Sequence, residues 1–93
     1  MKIRIYENGA LREEFSEEGF VCGVSCGEMN AFNIGEGSLS PCTAREFFVG
    51  GENVRVRTTT SPALADVIEI MKRFHGMKLV TIEKGHAKVE IEV

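Results

Sequence analysis

The chain has 93 residues, of which 43% are hydrophobic and 27% charged, and carries a formal net charge of −3. That length supports one domain, residues 1–93, with a modest core. The acidic balance argues against nonspecific nucleic-acid binding as the main role, and no apolar run reaches the roughly 18–20 residues that span a bilayer.

The first residues, Lys2 to Tyr6, alternate polar and apolar and predict a strand with Ile3 and Ile5 on one face. Alternation is not the apolar core of a signal peptide, so the expected location is cytoplasmic. Three cysteines cannot all pair within one chain, which fits free thiols in a reducing compartment. Glu7-Asn8-Gly9 is a turn signal, and Ala10 to Phe15 reads as the return strand with Leu11 and Phe15 facing the core. Phe20 to Cys26 is a further strand, in which Gly23 marks a bulge or a close backbone approach. Met29 to Ile34 reads as a short strand, followed by a loop at Gly35-Glu36-Gly37-Ser38.

Ser40 as cap, Pro41 at the first position and Ala44, Phe47 and Phe48 at helical spacing predict a short helix over about 41–48, stopped by Gly50-Gly51. Asn53 to Thr60 reads as a strand with Val54 and Val56 inward and Arg55 and Arg57 outward. The stretch Ser61 to Gly76 carries the clearest helix signal, with Ser61 as cap, Pro62 at the first turn and Gly76 as the left-handed stop. Its apolar residues Ala63, Leu64, Val67, Ile68, Ile70, Met71 and Phe74 fall in an arc roughly 160° wide. Such an arc calls for a sheet to cover it. Lys78 to Glu83 and Ala87 to Val93 alternate again around a Lys84-Gly85-His86 turn.

Strands at both ends with helices between them predict an α+β fold. A largely antiparallel sheet packs on one long helix (about 61–76) and one short helix (about 41–48). The terminal strands would be sheet edges able to pair with another chain, so a homodimer with a sheet shared between two subunits is expected. Residues 1–52 sum to −5 and residues 53–93 to +2, an asymmetry that solvated faces explain more simply than complementarity with a second copy.

Three groups of residues invite a chemical reading. Cys22 and Cys26 have a spacing that structural zinc sites permit, with Cys42, His75 or His86 as further ligands. On a regular strand, however, they would share a face about 13 Å apart, too far for one metal. Cys42 would lie at the start of the short helix, where a dipole could activate a thiol. Arg55 and Arg57, with Lys72, Arg73 and Lys78, could form an anion or nucleic-acid patch, but no aromatic residues are interleaved to stack bases. Ser25 and Ser40 lack a nucleophile elbow, and the glycine pairs lack the context of a phosphate loop. No catalytic residue, cofactor or metal site is therefore expected, and nucleic acid is not an expected partner.

In size, in its glutamine-free composition with thirteen Glu to one Asp, and in the order of strands around Ser61–Gly76, the chain resembles a small Archaeoglobus orphan family. Few amides and many charges also suit a thermophilic protein. The resemblance implies an interdigitated α+β homodimer of unknown function and transfers no site residue. The function expected is that of a non-enzymatic structural or interaction module. The alternatives are a thiol or zinc protein using Cys22 and Cys26, and an anion or nucleic-acid binder using Arg55 and Arg57.

Overall fold

Two-residue turns, each holding at least one glycine, fold the chain into four hairpins. The computed structural model describes residues 1–17, 19–33, 41–60 and 65–93. Asn8-Gly9 joins β1 (Lys2–Glu7) to β2 (Ala10–Ser16), and Gly27-Glu28 joins β3 (Phe20–Cys26) to β4 (Met29–Asn33). Gly50-Gly51 joins β5 (Cys42–Val49) to β6 (Glu52–Thr59). The helix α1 (Ala65–Lys72) follows, and Gly85-His86 joins β7 (Lys78–Lys84) to β8 (Ala87–Glu92). Asn8 and Gly9 have φ of 52° and 81°, and Gly50 and Gly51 have 57° and 81°. Both turns thus have the two positive φ angles whose twist matches the flanking strands.

The hairpins assemble as two four-stranded antiparallel sheets, with orders β2-β1-β8-β7 and β4-β3-β6-β5. Period-2 alternation gives each sheet one apolar face. In the first sheet Ile3 pairs with Ile91 and Ile5 with Val89, and all four are fully buried. The second sheet contributes Val21, Val24, Cys26, Val49, Val54 and Val56 to the same core. Burying each large aliphatic side chain is worth about 1.5–3 kcal/mol, so this inter-sheet layer dominates stability. Along one side, Phe15 of β2 meets Phe47 of β5 with ring centroids 5.8 Å apart. Arg45 lies 4.7 Å above the Phe15 ring and pairs with Glu17 at 3.1 Å.

The fold is therefore nearly all β, and the α+β expectation is corrected. The expected helix at 41–48 is strand β5. Its eight residues pair with β6 from Cys42–Thr59 to Val49–Glu52, whereas a two-turn helix would be marginal. The same Gly50-Gly51 that reads as a helix stop serves as a hairpin turn. The expected long helix at 61–76 is, among the described residues, the eight-residue α1, closed by a turn at 73–76 in which Gly76 has φ 87°. Among the described side chains of the apolar arc, Ile70 and Phe74 are exposed and Met71 packs inward, against Phe20. Residues 34–40 and 61–64, which include Ile34, the Gly35–Ser38 loop and the Ser40, Ser61 and Pro62 caps, lie outside the described residues.

The premise of the expected shared sheet, that the terminal strands are sheet edges, is also corrected. The terminal strands β1 and β8 are not edges; they pair with each other in the middle of the first sheet. Leu11, expected in the core, is exposed. The register shifts between Ile5 and Tyr6, pairing Leu11 with Tyr6, so its side chain moves to the outer face.

The four hairpin turns among the described residues gather at one end of the sandwich. Asn8 donates its backbone N–H to the His86 carbonyl at 2.9 Å, Gly50 donates to Glu7 Oε2 at 2.7 Å, and Gly27 donates to the Asn53 carbonyl at 2.8 Å. The opposite end carries α1, Met1 and Val93 around an open hollow of about 510 Å³.

Candidate functional site

The chemistry-bearing side chains collect on the outer face of the second sheet. They do so because of a bulge. Val21 pairs with Thr58 and Gly23 with Arg57, so Cys22 is an extra residue on β3 and the facing of the strand reverses there. Phe20 and Cys22 consequently form a small outer cluster with Met1 and Met71, while Val24 and Cys26 point into the inter-sheet core. Cys22 and Cys26 do not come together.

Cys22 instead meets Cys42. The two sulfurs lie 4.0 Å apart, although their strands are separated by β6. Cys22 also contacts the Arg57 carbonyl at 3.5 Å. Burial, and next the nearby Cys42, push the Cys22 thiol above its ordinary pKa. Burial, and next the Glu52 carboxylate, do the same to Cys26. Cys42 is exposed at the start of β5, so no helix dipole acts on it.

Arg57 points away from the inter-sheet core as expected, yet it is only 5% exposed. Its Nη1 donates to Asn33 Oδ1 at 2.7 Å, and its Nη2 lies 3.8 Å from Cys42 Sγ. Thr59 on the same strand donates to the Pro41 carbonyl at 2.6 Å. Beside this cluster an open hollow of about 310 Å³ is lined by Gly23, Ser25, Asn30, Asn33, Arg55 and Arg57. Arg55 carries a weak ion pair with Glu46 at 3.6 Å.

The remaining basic residues are elsewhere. Lys78 lies on the outer face of the first sheet, 3.4 Å from Glu90, and Lys72 on α1 pairs with Glu69 at 3.4 Å. His75 lines the hollow at the α1 end, and His86 is exposed in its turn. Among the described residues no three of His, Cys, Asp and Glu sit close enough to hold a metal together. Asn33 and the Cys22–Cys42 pairing are the features that sequence reasoning missed. The bulge signal at Gly23 could have exposed half of it, since one extra residue sends Cys22 to the face opposite Cys26.

No known protein family, curated protein sequence or solved structure matches the chain.

Proposed function

We propose that the protein is a non-enzymatic interaction module that self-associates through α1 as a homodimer. The reading rests on one observation: Ile70 on α1, Phe74 in the turn that closes it and Met77 just beyond are 53%, 45% and 50% exposed. Large apolar side chains left in water close together along the chain mark a contact surface more often than chance does. The occupant this surface fits best is a second copy. Asp66 and Glu69 on α1 precede Lys72 at its end and Arg73 just beyond, all exposed. Two copies packed antiparallel about a twofold axis would set each acidic pair against the other's basic pair. The Glu69–Lys72 contact is largely solvated, so exchanging it for a contact between copies costs little.

Light scattering on the full chain tests the reading. Twice the chain mass is expected, with Phe74→Glu reducing it to the chain mass. Glu69→Lys and Lys72→Glu should each weaken the dimer, and the double swap should restore it. A chain that is monomeric at all concentrations would overturn the proposal.

The hollow beside Arg55 and Arg57 favours a second reading, binding of a small anion. Titration with inorganic phosphate would then show saturable binding that weakens with salt and is lost in Arg55→Ala. Absence of binding at low salt would remove it.

A further inference from the structure

The thiols of Cys22 and Cys42 meet in a geometry that a disulfide does not suit. Their sulfurs are 4.0 Å apart, on strands with a third strand between them. Neighbouring strands lie about 4.8 Å apart, so the two backbones stand on the order of 9–10 Å from each other. A disulfide requires Cα atoms within about 7 Å of each other. The sheet therefore opposes an S–S bond while bringing the two sulfurs to one point. A metal ion can bridge this separation: with metal–sulfur bonds of about 2.3 Å, sulfurs 4.0 Å apart subtend about 120°, and parting by about half an ångström opens that toward the near-linear angle of a two-coordinate ion.

We propose that Cys22 and Cys42 form a two-thiolate site for a soft monovalent cation of the Cu(I) type. Three features select this class. A structural zinc site needs four ligands, and the described residues supply no group of three. Thiolates prefer soft ions, and Cu(I) accepts low coordination. Charge also balances: two thiolates and one monovalent ion sum to −1, which the Arg57 guanidinium offsets from 3.8 Å. Asn33 fixes that guanidinium at 2.7 Å, an outer-shell role. On one side Cys22 is walled by Phe20, with Met1 and Met71 packed against the pair, and on the other Cys42 is exposed and gives the ion a way in.

Binding proceeds without electron transfer. Each thiol gives up its proton as its sulfur donates a lone pair to the ion, so one ion bound as the bis-thiolate releases two protons.

The test is an anaerobic titration of the reduced full chain with Cu(I), in competition with a bathocuproine chelator and with glutathione. One Cu(I) per chain is expected, held against glutathione. Cys42→Ala and Cys22→Ala should each weaken binding by more than about 100-fold, beyond the 10–100-fold cost of outer-shell changes. Asn33→Ala should fall within that outer-shell range. Cys26→Ala should bind as the parent does, because its thiol lies in the inter-sheet core. Cys42 is exposed, so its alanine variant keeps the fold, as circular dichroism checks, and carries the test if Cys22→Ala does not fold. Three results would each overturn the proposal: no Cu(I) retained against glutathione, equal loss in Cys26→Ala, or mild oxidation yielding a Cys22–Cys42 disulfide in the native protein.

Discussion

Cys22 and Cys26 stand on opposite faces of the same strand, although a spacing of four along a regular strand would put them on the same face. One bulged residue separates the chemistry of the outer face from the packing of the core. Both thiols are fully buried, and Cys42 is the exposed cysteine. Iodoacetamide should therefore add a single label to the native reduced chain, at Cys42, with Cys22 and Cys26 labelled only on unfolding. Mass spectrometry of timed digests would show this, and rapid native labelling of Cys26 would contradict the placement.

Arg4 joins β1 to its neighbours on both sides, donating to Glu92 at 2.7 Å and to Glu14 at 3.1 Å. The hydrogen bond from Arg4 holds the Glu92 carboxylate below the usual carboxylate range, against a smaller opposing effect of burial. A depressed folded pKa stabilises the protein fully above the unfolded value, about 4.3 for glutamate. That contribution is lost as pH falls through the lower folded value. Arg4→Met should remove it. Urea unfolding at neutral pH and at successively more acid pH would show parent and variant converging in stability as pH falls.

Gly50 turns with φ 57°, and a Cβ built on it would come within 2.8 Å of the His86 backbone carbon in the facing sheet. Gly50→Ala thus combines backbone strain with a clash that backbone atoms cannot easily relieve. A loss of about 1–3 kcal/mol is expected. At Gly51 φ is 81° but a Cβ would meet open space, and asparagine tolerates positive φ. Gly51→Asn should therefore cost less than Gly50→Ala, which thermal melts of the two variants would rank.

Phe15 and Phe47 join the two sheets along one side, and both are only partly buried. Phe47→Ala should cost about 1–3 kcal/mol, less than the 3–5 kcal/mol of a fully buried phenylalanine. A double-mutant cycle with Phe15→Ala should return a coupling of about 0.5–1.5 kcal/mol, measured by denaturant unfolding.

Much of the strand content was legible because it is written locally. The alternation at Ile3 and Ile5 and at Val89 and Ile91, with Asn8-Gly9 and Gly85-His86 as turns, needs no tertiary information. Cys42–Val49 was not legible, since Ala44, Phe47 and Phe48 satisfy helical spacing and Gly50-Gly51 suits a helix stop and a hairpin equally well. Pairing with β6 decides between them, and that is a long-range contact. The exposure of Ile70 and Phe74 was missed for a related reason. An apolar arc in the sequence states that cover is needed, not that the chain itself provides it. In the site, Arg57 was found on its outward face, but its approach to Cys42 depends on strand order, which no local pattern encodes.

The pairing of β1 with β8 has a consequence for how the chain folds during synthesis. The strands β3 to β6 are contiguous in sequence, so the second sheet is complete once β6 has emerged. The first sheet has to wait. Its central ladder includes Arg4 and Glu92, which are 88 residues apart. Until β8 arrives, the β1–β2 hairpin presents Ile3 and Ile5 beside an unpaired strand edge. Closing so distant a contact is slow, and the waiting edge is open to pairing with other nascent chains. Folding in the cell is thus a contest between the last strand made and any competing strand that reaches the first one sooner.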